Sequence, residues 1–240
     1  MLYLVGGGLW DEKDITLRGM DAIRKCDAVY LDTYTSFWGG REGLEKAAGK
    51  KVIVAARGDL EDNVMKIISL AGISDVAIVV PGDPMVATTH SMIIMDARKH
   101  GVKTQVIHAP SIFSAIAETG LHIYKFGKTI TVPFTSENFN PESFFDGIKE
   151  NRDRGLHTLL LLDIRGSQMK PRHAMELILS IAERRNQEIK NDDRIFVVSF
   201  TDKSKICYGK IGSLMHEEFP SPSCLIIPGK LHRTEEEFIS

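Results

Sequence analysis

Cysteine is scarce in this 240-residue chain: Cys26, Cys207 and Cys224 stand far apart, with no Cys-x-x-Cys spacing. That argues against a disulfide framework or a thiolate zinc site and fits a reducing, cytoplasmic setting. Long apolar runs are missing too, since none approaches the roughly 20 residues that a membrane helix needs. The opening Met1-Leu2-Tyr3-Leu4-Val5 meets Gly6-Gly7-Gly8 too soon, and without a basic leader, to read as a signal peptide. Charge of one sign is not in excess either. Lys+Arg 30 against Asp+Glu 32 leaves a net charge of -2, so no overall field gathers nucleic acid or an anionic membrane, although a local basic patch stays open. No His, Cys, Asp and Glu set has metal spacing, and neither a Gly-x-Ser-x-Gly elbow nor a Walker loop occurs.

What is present is the grammar of an α/β protein. The 43% hydrophobic and 26% charged fractions are those of an ordinary globular chain with a real core. Short apolar runs at Tyr3 to Val5, Ala28 to Leu31, Val52 to Ala55, Val76 to Val80 and Thr104 to Ile107 alternate with helically spaced stretches such as Ile15 to Ile23 and Val86 to Ala97. This alternation predicts a mainly parallel sheet covered by helices, and "VAIVV" reads as a strand buried on both faces. After about residue 115 the pattern changes. Residues 132 to 141 read as a connection between layers. A helix follows, then a strand at Thr158 to Leu162 and a helix at Pro171 to Arg185. Strands near Ile195 to Phe200 and Cys207 to Ile211 are joined closely enough for an antiparallel hairpin, and a last strand spans Cys224 to Ile227. The expectation is two α/β domains, 1–115 and 116–240, the second with a mixed sheet, and a cofactor cleft between them.

Three strand-exit loops carry the candidate chemistry. In "LYLVGGGLWDEKDIT" a strand runs into three glycines and then acids, which suits close backbone approach to a ligand at the carboxyl edge of a sheet. The G-x-G-x-x-G spacing fails, and the acids would repel pyrophosphate. A plain tight turn with Asp14 capping the next helix remains equally open. "VVPGDPMVATTH" leaves its strand at Pro81-Gly82-Asp83-Pro84, which puts Asp83 on the same edge. Asp83 reads as the N-cap of a helix starting at Pro84, a role compatible with ligand binding. In "VIHAPSIFSAIAETGL" Ser111 reads as a cap, with Phe113 and Ile116 as core. Asp163 and Arg165 at the exit of "HTLLLLDIRG" make only a weak catalytic candidate, and His108, His157 and His232 read as structural residues beside strands.

Taken together and in order, "VGGGLWDEKDITLRG", "YLDTYTS", "PGDPMVATTH", "HAPSIFSA", "TGLHIYKFGK", "RGLHTLLLLDI" and "IIPGKLH" resemble the diphthine synthases, the diphthamide-biosynthesis branch of the tetrapyrrole-methylase-like methyltransferases. The resemblance covers nearly the whole chain. It implies a cytoplasmic homodimer that uses S-adenosylmethionine and releases S-adenosylhomocysteine; no metal is expected, in line with the missing ligand spacing. The implied partner is elongation factor 2, whose 3-amino-3-carboxypropyl histidine is methylated on its amino nitrogen to diphthine. The family's cofactor contacts would fall on Leu9, Asp83, Val86, Ser111, Ile112 and Leu162. Two more would fall on Asp202 and Ser223, where the chain departs from the family: Phe200-Thr201-Asp202-Lys203-Ser204 replaces an Ala-Arg-x-Gly-Ser loop, and Ser223 replaces a histidine. In-line methyl transfer needs alignment and water exclusion more than a side-chain catalyst, so none is expected to be obligatory, and a carboxylate or histidine could pass the amine's proton to water. The rivals are a tetrapyrrole or precorrin methyltransferase within the same fold and a non-catalytic module that binds a translation factor.

Overall fold

The computed structural model describes residues 1–136 and 141–240; Glu137, Asn138, Phe139 and Asn140, part of the expected connection, lie outside them. The chain divides into two compact units, Met1–Ala115 and Ile116–Ser240. The first runs β1 (Leu2–Gly6), α1 (Leu17–Lys25), β2 (Ala28–Asp32), α2 (Arg41–Ala48), β3 (Ile53–Ala55), α3 (Arg57–Leu60), α4 (Val64–Ala71), β4 (Val76–Val80), α5 (Ser91–Lys99), β5 (Thr104–Ile107) and α6 (Ile112–Ala115). Its strands form one sheet in the order β3-β2-β4-β1-β5, every pair parallel. The α/β class and the parallel first sheet expected from the sequence are therefore present.

Burial on both faces explains the composition of β4, in which all five residues are buried. Successive side chains of a strand point to opposite faces. Val76, Ile78 and Val80 accordingly join a core with Ile67 and Ile68 of α4 and Ile93, Ile94 and Ala97 of α5. Ala77 and Val79 join the opposite core with Ile23 of α1 and Leu44 of α2. The chain thus leaves β1 toward one face through α1 and leaves the adjacent β4 toward the other through α5. Such divergence between neighbouring parallel strands opens a crevice at their carboxyl ends, where α/β proteins bind ligands.

The second unit contains β6 (Ile130–Val132), α7 (Ser143–Asp153), β7 (Thr158–Leu162), β8 (Ile164–Arg165), β9 (Ser167–Gln168), α8 (Pro171–Arg184), β10 (Arg194–Ser199), β11 (Lys205–Lys210), α9 (Ile211–Leu214), β12 (Ser223–Ile227) and α10 (Arg233–Ile239). Its main sheet, β11-β10-β12-β7-β6, is mixed: β6 and β7 are parallel and the other pairs antiparallel. The hairpin of β10 and β11 forms as the short link between them predicts. Strand β6 ends at Val132, the first residue of the expected connection, and the small β8–β9 hairpin has no counterpart among the strands expected from the sequence, because two-residue strands carry no periodicity.

Helix α10 is tied down by one carboxylate. Glu235, fully buried, accepts from the His122 N–H (2.8 Å), the Lys125 ammonium (2.5 Å), His157 Nε2 (3.0 Å) and the His232 N–H (2.6 Å). Because Gly229 N–H donates to His157 Nδ1 at 2.9 Å, the His157 proton sits on Nε2 and points at Glu235. Burial lowers the His157 pKa, in keeping with a neutral ring, so the structural reading of His157 holds. Burial alone would raise the Glu235 pKa, but Lys125, the two backbone amides and His157 outweigh it and hold the carboxyl at about 2. Its proton affinity is therefore higher in the unfolded chain, where the ordinary value is 4.5. The stabilisation is complete above about pH 5 and is lost as pH falls toward 2. Glu235→Ala is expected to cost about 3 kcal/mol at pH 7, read by urea denaturation, with the difference from wild type shrinking below pH 4. A cost unchanged down to pH 2.5 would contradict the ionic account.

Candidate active site at the carboxyl edge of the first sheet

Backbone hydrogen bonds bind the loops after β1 and β4 together. Gly7 N–H donates to the Val80 carbonyl (2.7 Å), and Gly8 and Gly82 exchange reciprocal bonds of 3.2 and 2.7 Å, an isolated antiparallel bridge beyond the parallel strands. Gly82 sits at φ +70°, a left-handed conformation that costs side-chain-bearing residues about 1 kcal/mol or more. The third loop approaches at Gly6, where a Cβ would lie 2.5 Å from Ala109 Cβ and 2.8 Å from the Gly82 carbonyl oxygen. Only a residue without a Cβ lets β1 and the loops after β4 and β5 meet so closely. Trp38, buried beneath them, donates its indole N–H to the Gly7 carbonyl (3.1 Å).

Asp83 lies where the three loops meet and is only 6% exposed. Its Oδ1 accepts from Met85 N–H (2.9 Å), and its Oδ2 accepts from His108 Nδ1 (2.8 Å) and Ala109 N–H (3.3 Å). It does not cap a helix at Pro84, as the sequence suggested. The chain turns through residues 84 to 90, with Thr88 Oγ1 donating to the Pro84 carbonyl (2.9 Å) and accepting from His90 N–H (3.3 Å), and α5 starts only at Ser91. Side-chain to backbone bonds of this kind compete with helix formation, and Ala87 takes φ +54°. Asp14 is not a helix cap either. It accepts from Trp10 N–H (2.8 Å), which shapes the glycine loop, while Thr16 caps α1 through Gly19 N–H (3.1 Å).

The first unit brings five of the sequence-proposed contacts to this edge. Leu9 is half-buried just past the Gly8 bridge, Val86 is half-buried with its N–H on the Asp83 carbonyl (3.2 Å), and Ser111 is buried beside Ile112, the first residue of α6. Asp83 is the fifth. In the second unit Leu162 ends β7 and belongs to the core, so it offers main chain rather than side chain. Ser223 opens β12 opposite Ser199 of β10, three residues before exposed Asp202 in the hairpin turn, so these candidates share one edge of the second sheet. The Ser223 backbone is clamped by Gln168 (2.8 and 3.1 Å), while its buried hydroxyl has no hydrogen-bond partner among the described residues. Asp163 accepts from Phe134 N–H (3.0 Å) and Ile164 N–H (2.8 Å), which accounts for it structurally.

Two groups escaped the sequence reading. His108, assigned there to structure, has its side chain 70% exposed and its Nδ1 on Asp83. Asp32 and His90 are both buried where β2 ends and α5 begins. Asp32 accepts from Tyr34 N–H (2.8 Å), Thr35 N–H (3.2 Å) and the Thr35 hydroxyl, while His90 Nε2 stands 3.3 Å from its Oδ2 without an aligned hydrogen bond. The words "YLDTYTS" and "PGDPMVATTH" contain both residues, but their pairing depends on the tertiary fold. Among the described residues no cluster of three or more His, Cys, Asp or Glu could hold a metal, and no helix is long and apolar enough to cross a membrane.

Comparison with known proteins supplies the family context. The model for Tetrapyrrole (Corrin/Porphyrin) Methylases matches residues 1–201. A diphthine synthase of Methanocaldococcus jannaschii is 42% identical over 248 residues, covering 99% of this chain and 96% of that protein. One of Methanococcus aeolicus is 41% identical with the same coverage. A crystal structure of a diphthine synthase superposes with a TM-score of 0.88 at 36% identity, over 99% of this chain and 94% of that one.

The close approach at Gly6 is directly testable. Gly6→Val should destabilise the first unit by about 3 kcal/mol through overpacking against Ala109 and Gly82, whereas Gly58→Ala, in α3 with open surroundings, should be neutral or stabilising by up to about 1 kcal/mol. Urea midpoints measure both, and equal midpoints for Gly6→Val and wild type would refute the three-loop contact.

Proposed function

Since the chain belongs to the tetrapyrrole methylase family and has diphthine synthases as relatives over 99% of its length, we propose that it is an S-adenosylmethionine-dependent N-methyltransferase of diphthamide biosynthesis. Its substrate in this reading is elongation factor 2 bearing a 3-amino-3-carboxypropyl histidine, whose amino group it methylates repeatedly to diphthine. The observation that carries the reading is the whole-length identity with diphthine synthases. The homodimer and the cytoplasmic setting implied by the resemblance travel with it.

The site's chemistry fits the methyl donor. S-adenosylmethionine is cationic at its sulfonium and ammonium groups, carries ribose hydroxyls and has no phosphate. A buried carboxylate at the loop junction, with further acids at Asp11, Glu12 and Asp14, suits such a ligand and would repel a dinucleotide. A Cβ at Gly82 would meet only Ser111, near 3.8 Å, so the turn leaves room beside Asp83. When bound, S-adenosylmethionine supplies an electrophilic methyl group. In this reading Asp83 and the main chain at Leu9, Val86, Ser111 and Ile112 hold it; Leu162, Asp202 and Ser223 remain contacts that the family resemblance alone assigns. Asp83 is fixed by its three donors before any ligand arrives, so it orients without paying to reorganise.

Mass spectrometry of elongation factor 2 carrying the aminocarboxypropyl histidine, incubated with this protein and S-adenosylmethionine, tests the reading; a gain of three methyl groups is expected. No gain despite calorimetric binding of S-adenosylmethionine would favour a small-molecule methyltransferase. No gain and no binding would favour a non-catalytic module. Asp83→Ala should weaken S-adenosylmethionine binding tenfold or more, at least about 1.4 kcal/mol, in isothermal titration; an unchanged Kd would remove Asp83 from the site.

A further inference from the structure

We propose that His108 is the general base of the reaction, with Asp83 as the carboxylate that orients it; this rests on the methyltransferase reading above. A peptide's terminal amine has a pKa of about 8, the carboxylate beside this amino group favours the charged form further, and the group is therefore largely an ammonium at neutral pH. An ammonium has no lone pair with which to attack a methyl carbon. Converting it to a trimethylammonium with three methyl groups, each taken from a sulfonium, releases three protons, so the site needs a repeatable proton acceptor beside the donor. An imidazole is the side chain suited to exchange protons reversibly near pH 7.

His108 has the arrangement that this role requires. Asp83 Oδ2 is 2.8 Å from Nδ1, and an ionised carboxylate can only accept, so in the neutral ring the proton must sit on Nδ1 and the lone pair on Nε2. A buried carboxylate fixing the tautomer and orientation of an imidazole is the logic of Asp–His pairs in acid–base catalysis. The pair here is asymmetric in the useful sense. The side chain of Asp83 is 7% exposed and that of His108 is 70% exposed, so the anchored end is buried and the ring is open to an incoming substrate. Asp83 is also held by the Met85 and Ala109 amides, which fixes the carboxylate in place beside the ring. Among the described residues Asp83 is the charged group hydrogen-bonded to His108.

In each cycle Nε2 takes a proton from the ammonium as that N–H bond breaks, and the freed pair on the substrate nitrogen forms the N–C bond. The carbon–sulfur bond breaks with its electron pair left on sulfur, and the imidazolium returns its proton to solvent through the exposed face. The quaternary product has no proton to give, so the base has no further task once the third methyl group is in place.

Nitrogen-15 NMR of the wild-type protein without ligand reads the premise: neutral His108 should carry its proton on Nδ1, and a proton on Nε2 would overturn the proposal. The decisive variant is His108→Asn, whose amide can keep the bond to Asp83 while lacking the base. Its Kd for S-adenosylmethionine should stay within about threefold, while kcat at pH 7 falls on the order of 100-fold and recovers to within about tenfold of wild type at pH 9.5, where the ammonium loses its proton to solvent unaided. Retained kcat at pH 7, an equal loss at both pH values, or a parallel loss of cofactor binding would each reject His108 as base. Absence of methyl transfer by the wild-type protein would instead reject the functional reading itself, and this assignment with it.

Discussion

The carboxylate of Asp83 must be satisfied before anything else at the carboxyl edge of the first sheet can be built. A buried charge without partners costs several kcal/mol, and this one is met by an amide from its own turn, an amide from the loop after β5 and an imidazole from the same loop. Those bonds join two chain segments whose strands, β4 and β5, are not neighbours in the sheet. Strand β1 lies between them and ends in glycines, so the flanking loops close over it. The turn after β4 cannot be helical and bind both partners, so α5 starts late, and the polar groups of the turn are satisfied by Thr88.

The two units use the same device for different ends. In the second, Glu235 gathers donors from three places in the sequence and anchors α10, a purely architectural role for a carboxylate of strongly depressed pKa. In the first, Asp83 gathers donors at a sheet edge where neighbouring strands diverge, and one of its partners is left open to solvent. Exposure of the histidine partner, rather than burial of the acid, is what distinguishes the two carboxylates.

Much of this was legible in the sequence. The continuous β-branched run at Val76 to Val80 announced a strand buried on both faces, and Pro81-Gly82-Asp83-Pro84 announced where it must stop. The three strand-exit loops were recognisable by their glycines, prolines and short polar residues. What could not be read was pairing across distance. His108 looked like one more histidine beside a strand because its partner stands 25 residues earlier, and Asp32 and His90 meet only through the order β2-β4 in the sheet. Local rules also read Asp83 as a helix cap and left a cap at Asp14 as one of two open readings, because an aspartate before a helix has the same sequence appearance whether it accepts from that helix or from a loop. The two departures from the family pattern, at Asp202 and Ser223, fall in the second unit, where backbone rather than side chain is positioned at Leu162 and Ser223.

In the proposed function the methyl donor is held where the loops after β1, β4 and β5 converge. Amide hydrogen exchange with and without S-adenosylmethionine is the sharpest check, because it reads the backbone contacts that would hold the ligand. Slowed exchange concentrated at residues 6–9, 82–86 and 108–112 is the predicted result. Protection absent from those segments and confined to the groove formed by Phe145, Arg152 and Glu188 in the second unit would contradict it.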